Sequence, residues 1–124
     1  MAKTLAIVFG AVFVLVGLLG FVPNPIVGDS GIFLTNMLHN LVHLLVGVLL
    51  LVVAFTKPGA SGLWLKIVGV VYLLVWILGL LAVDASGRGS ILGLVDVNTA
   101  DNWLHLVLGI VILGAGFMSK PNNS

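Results

Sequence analysis

Asparagine, histidine and glycine recur at one spacing in two places: Asn36, Asn40, His43 and Gly47, then Asn98, Asn102, His105 and Gly109. Steps of four, three and four residues keep each set on a single stripe of a helix. Imidazole can ligate a metal, carry a proton or make a hydrogen bond. His39 stands one helical turn before His43, the spacing at which two rings on one face can share an ion. Asp101 and His105 hold the equivalent places in the second copy. If the two stripes converge, His39, His43, His105 and Asp101 offer three nitrogens and a carboxylate, a set suited to Zn²⁺ or another divalent metal. Histidines on opposing helices are also a haem-ligand arrangement, although no wide apolar slot is evident in the sequence. The plainer chemistry is structural. Asn36, Asn40, His43, Asn98, Asn102 and His105 then serve as interhelical polar glue, and Gly47 and Gly109 let the backbones close up. Asn98 and Asp101, three residues apart, read as a capping pair that needs no ligand.

Both stripes open long apolar runs, and the composition explains why. Of 124 residues, 60% are hydrophobic and only 7% charged, and the mean hydropathy is +1.30, beyond the range of a soluble domain. The expectation is an all-α membrane protein. Five basic residues against four acidic ones, with no basic cluster, exclude nucleic acid as a partner. With no cysteine, disulfides, thiolate metal sites and cysteine nucleophiles are excluded as well.

Four spans are expected, over residues 5–22, 36–55, 63–83 and 98–118, within a single membrane domain covering 1–124. The first ends at Pro23-Asn24-Pro25, which cannot continue a helix. Lys3 before an apolar run resembles a signal peptide, but the run is long and no small-x-small cleavage site follows. Asn36 and Asn98 are expected N-caps, and Lys57-Pro58-Gly59 closes the second span. Lys3, Lys57, Lys66 and Lys120 fall on one side of such a path, and Asp29, Asp84, Asp96, Asp101 and Arg88 on the other. The positive-inside rule then puts both termini in the cytoplasm and the paired stripes near the extracytoplasmic face. Arg88 is expected to form a solvated pair with Asp84.

Displacing the sequence by 62 positions lays Gly31, Asn36, Asn40, His43, Leu44, Gly47 and Phe55 over Gly93, Asn98, Asn102, His105, Leu106, Gly109 and Phe117. A displacement of 59 lays Gly10 and Gly20 over Gly69 and Gly79. The chain therefore reads as two tandem helical hairpins, repeats 1–58 and 62–120. Each contains an even number of spans, so a pseudo-two-fold axis along the membrane normal relates them. The result is a four-transmembrane-helix bundle with His43 and His105 as symmetry mates.

The segments His39-Asn40-Leu41-Val42-His43-Leu44-Leu45-Val46-Gly47 and Asn98 to Gly109 resemble the two signature segments of a family of small bacterial four-span membrane proteins, the domain of unknown function numbered 4383. The resemblance extends over nearly the whole chain, and the Asn-x-x-His segments are its specific part. It implies a bacterial inner-membrane protein with a four-helix fold, and no activity.

Ser86 and Ser90 lack a nucleophile-elbow context, so hydrolase chemistry has no support. The inner halves of the second and fourth spans offer no polar path, which argues against a monomeric transporter. The leading expectation is a non-enzymatic bundle without a cofactor, serving assembly or envelope support. Its partners would be the lipid bilayer and a second copy or another membrane protein. The alternative is a metal-binding or sensory module using His39, His43, Asp101 and His105.

Overall fold

A computed structural model describes residues 1–119; Lys120 and the rest of the polar tail lie outside them. Four helices carry the fold: α1 (Ala2–Leu19), α2 (Met37–Thr56), α3 (Ser61–Ala82) and α4 (Thr99–Met118). Each is long and apolar enough to cross a membrane, as 18 or more apolar residues at about 1.5 Å per residue require. The chain is thus an all-α multi-pass membrane protein. Leu15, Leu45, Leu81, Trp103 and Phe117 are exposed, as residues that face acyl chains should be.

α1 packs along α2 and α3 along α4, while the two hairpins touch more sparingly, chiefly through α1, α2 and α3. Within each hairpin small residues set the approach. Ala2, Ala6, Gly10 and Gly17 form the buried face of α1, and Gly10 lies against the backbone of Gly47. In α2 and α4 the buried stripe changes character along its length. It is polar at the N-terminal ends (His39, Asn40, His43; Asp101, Asn102, His105) and apolar farther on (Leu50, Val53, Ala54; Ile112). At the opposite end from the polar stripe, Lys3 Nζ lies 5.8 Å from the Phe55 ring and Lys66 Nζ 4.7 Å from Phe117. Each hairpin therefore places a cation over an aromatic face near its open end.

α1 stops at Leu19, three residues before the expected end. Asn24 lies behind this stop: its Nδ2 is 2.8 Å from the Leu19 carbonyl, and its Oδ1 accepts from the amides of Ile26 and Val27. This turns the Pro23–Pro25 segment into a compact bend. Short strands β1 (Val27–Gly28) and β2 (Phe33–Leu34) then pair in parallel.

The second connection departs from the expected loop. β3 (Arg88–Ile91) and β4 (Val95–Asn98) form an antiparallel hairpin, with Ile91 opposite Val95 and Gly89 opposite Val97. Leu92 and Gly93 at its tip both have positive φ, 54° and 71°. That is the signature of a type I′ turn, which suits the glycine and strains the leucine. The Arg88 side chain does not pair with the Asp84 carboxylate, although the Asp84 amide donates to the Arg88 carbonyl at 3.1 Å. Its guanidinium donates to the carbonyl oxygen of Asp29, 2.9 Å away in the first connection. The Asp84 carboxylate instead accepts from the hydroxyl and amide of Ser86, which hold it below the usual carboxylate range.

Both expected N-caps form. Asn36 Oδ1 accepts from the His39 amide, and Asn98 Oδ1 from the Asp101 amide, each at 2.9 Å. The remaining amide groups bind across the pseudo-symmetry axis. Asn36 Nδ2 donates to the Leu94 carbonyl and Asn98 Nδ2 to the Ile32 carbonyl, again each at 2.9 Å. Ile32 and Leu94 are themselves 62 positions apart, so the exchange is reciprocal. Asn36→Asp separates the two tasks, because aspartate caps a helix as well as asparagine does but cannot donate to Leu94. Chemical denaturation of the variant is expected to reveal a loss of about 1 kcal/mol, with helix content unchanged.

Candidate metal centre

His39, His43 and His105 meet at the end of the bundle where α2 and α4 begin. Their nearest ligand atoms all lie within 4.8 Å of one another. The His39 and His43 rings stack at 4.8 Å, as the one-turn spacing dictates, and the His105 ring stands 5.8 Å and 6.4 Å from them. Two ligands thus come from one hairpin and one from the other. All three side chains are buried; His105 is only 2% exposed.

The hydrogen bonds leave this group only partly satisfied. His39 Nδ1 is 2.7 Å from the carbonyl oxygen of Asp96 on β4. A carbonyl can only accept, so Nδ1 carries the proton and Nε2 keeps its lone pair. A ring N–H held by a backbone carbonyl is a usual feature of a metal-ligating histidine. His43 Nδ1 lies 3.2 Å from the Tyr72 hydroxyl. His105 Nδ1 is buried with no hydrogen-bond partner among the described residues.

The surroundings close the site on two sides. Toward the centre of the membrane, Phe13 and Tyr72 stack at 5.3 Å, with Phe13 6.1 Å from His43 and Tyr72 5.5 Å from His105. The two stacked residues are 59 positions apart, so they are counterparts in the duplicated hairpins. At the end where α3 stops and α4 starts the β3–β4 hairpin forms a roof, with Val97 fully buried and Ile91 nearly so. The sequence places His43 only about 10 Å along the axis from the Asn36 cap, within reach of water, but the roof covers it.

Asp101, the fourth expected ligand, is not part of the three-histidine group. Its carboxylate accepts from the Asn98 amide at 3.0 Å while its own amide donates to Asn98 Oδ1, a complete capping box. The helix start thereby takes up the carboxylate that would otherwise turn toward the imidazoles. Asp101→Ala is expected to destabilise the protein by about 1 kcal/mol through loss of that bond. Titration of the variant with a divalent metal should give the wild-type stoichiometry.

Asn40 and Asn102 do not bond across the hairpins either. Each side chain packs within its own hairpin, with Oδ1 occupying the space that a Cβ on Gly20 or on Gly79 would fill. The oxygens have no conventional donor and lie along the Cα–H direction of those glycines, the geometry of a weak Cα–H···O contact. Only a residue without a Cβ admits them. The residue that sequence reasoning undervalued is Tyr72. Its signal was present, since the displacement by 59 sets it opposite Phe13, from which it differs by one hydroxyl.

Two tandem helical hairpins joined by reciprocal caps, with a histidine cluster between them, define a small four-helix membrane bundle. The family follows from the sequence match. Residues 3–118 match the model described as a domain of unknown function, DUF4383, and the chain belongs to that family. No curated protein and no solved structure matches it.

Proposed function

We propose that the protein is a binding protein rather than an enzyme, and that it holds one divalent transition-metal ion, Zn²⁺ by its donor set, between its two hairpins. The support is the convergence of three buried imidazoles with one ring nitrogen orphaned. Polar glue in a membrane should be hydrogen-bonded, because an unpaired buried polar atom costs on the order of 1–3 kcal/mol. Here the rings face one another without exchanging a hydrogen bond. An ion can take a lone pair from all three rings at once, whereas a hydrogen bond between two neutral rings satisfies only one.

Tetrahedral zinc with nitrogens at about 2.0–2.1 Å sets them roughly 3.3 Å apart. Closing the group from 4.8 Å therefore takes only small side-chain rotations. Three protein ligands leave one position for an exogenous molecule. Haem is disfavoured, because imidazoles stacked at 4.8 Å leave no slot for a macrocycle. The asparagines retain the structural role, Asn36 and Asn98 by their reciprocal bonds. The ion would add to it by fastening His105 of the second hairpin to His39 and His43 of the first, which suits a role in assembly or envelope support. Lys3, Lys57 and Lys66 at the end opposite the site favour the cytoplasmic membrane with both termini inside and the metal near the extracytoplasmic face.

The test is zinc titration of full-length, metal-stripped protein in detergent. One zinc per chain with a raised unfolding temperature is expected. Zinc at background level would overturn the reading.

A further inference from the structure

The histidine cluster forms the floor of a cavity of about 230 Å³ that reaches it from the side, between α2 and α3. Val42 and Val46 form one wall and Val71 and Val75 the other, while Ile91 and Val95 of the β hairpin close it above. Val42 and Val71 are 41% and 45% exposed. They stand six residues beyond the Asn36 cap and eleven before the end of α3, about 9 Å and 16 Å into the helices. The mouth therefore opens onto hydrocarbon, not onto water.

The duplication shows that this face has become distinct. On the counterpart face, between α4 and α1, Leu104 and Leu108 take the places of Val42 and Val46, Phe13 that of Tyr72, and Asp101 that of His39. Smaller walls, an added hydroxyl and an imidazole in place of a carboxylate thus fall together on one side of the molecule.

We infer that this lateral opening admits a lipophilic carbonyl compound dissolved in the bilayer, of the quinone class, with its ring between the valine walls and a carbonyl directed at Tyr72. The cavity lining carries no charged side chain, so a phosphate or carboxylate head has no counter-charge there and a neutral head is selected. With His43 Nδ1–H donating to the Tyr72 oxygen, 3.2 Å away, the hydroxyl is the donor left for an acceptor head. The stacked rings of Phe13, Tyr72 and His43 favour a planar one. An apolar cavity of about 150 Å³ already holds a benzene ring, so the available space suits a substituted single ring but not a phospholipid headgroup.

The inference is independent of the metal and is tested on metal-free, full-length protein. A decyl-substituted 1,4-benzoquinone is titrated in detergent by equilibrium dialysis, with decylbenzene as competitor. Saturable binding of one quinone per chain is expected, with decylbenzene failing to displace it. Val42→Trp, which fills the mouth, is expected to weaken binding at least tenfold while helical circular dichroism and unfolding temperature stay at wild-type values. Tyr72→Phe keeps the ring and removes the donor, and should weaken binding about tenfold, the scale of one hydrogen bond. Unsaturable partitioning, displacement by decylbenzene, or wild-type affinity in Tyr72→Phe would each overturn the inference. So would unchanged affinity in Val42→Trp.

Discussion

His105→Ala is expected to lose stoichiometric zinc, with affinity reduced more than about 100-fold, since even loss of an outer partner of a ligand costs about 10–100-fold. His39 and His43 remain, but both belong to α2, so an ion held by them no longer joins the hairpins. The effect on stability discriminates further. At a zinc concentration of about 100 times its dissociation constant, the wild type gains roughly 2.7 kcal/mol, and the variant should gain almost none. Without metal the difference should shrink, because the substitution also removes a nitrogen that is buried with no partner among the described residues. A purely structural cluster predicts the opposite pattern: a metal-free variant far less stable than the wild type, and no response to zinc in either. Thermal unfolding of both proteins, with and without zinc, checks this.

Gly47→Ala is the substitution expected to damage the bundle most directly. A Cβ at Gly47 would sit 2.7 Å from the Gly10 carbonyl oxygen and from the Val14 amide nitrogen. Both are backbone atoms, so α1 and α2 must separate. Overpacking of this kind costs about 1–3 kcal/mol. Gly47 also lies one turn beyond His43, so the displacement should carry the imidazole away from His105 and weaken zinc binding as well. At Gly109, its counterpart, the two nearest atoms are the Leu73 Cδ2 and Cγ and the nearest backbone atom, the Leu73 nitrogen, is 3.1 Å away, so a smaller loss is expected. Gly114→Ala meets nothing within 4 Å and should be neutral, or stabilising by up to about 1 kcal/mol through helix propensity. Steric trapping or denaturant unfolding of the three variants, each with a zinc titration, gives the ordering.

Much of this was legible because the signals are local or repeated. Helical spacing alone put His39, His43 and Asn36 on one stripe, and the displacement by 62 supplied the symmetry that brings His105 to meet them. The caps at Asn36 and Asn98 follow from residue type and position. What escaped depends on contacts between the hairpins. The reciprocal bonds to Leu94 and Ile32 use loop carbonyls, which any residue type can supply and no sequence pattern marks. The β3–β4 roof was hidden because Ile91-Leu92-Gly93-Leu94-Val95 reads as an oily loop in a chain oily throughout, although Leu92-Gly93 between β-branched residues is a turn signal. Asp101 matched His39 by position, yet its capping bonds are a stronger local demand than a distant ion. The apolar opening beside Tyr72 depends on the difference between valine and leucine across two helices, which becomes meaningful only once the faces are known to be counterparts.

X-ray absorption spectroscopy of the zinc-loaded, full-length protein tests the convergence of the three imidazoles most directly. Three nitrogen scatterers at about 2.0–2.1 Å with the outer-ring scattering of imidazole are expected, and His105→Ala should abolish that spectrum. Coordination by oxygen alone, or a spectrum unchanged in His105→Ala, would contradict it.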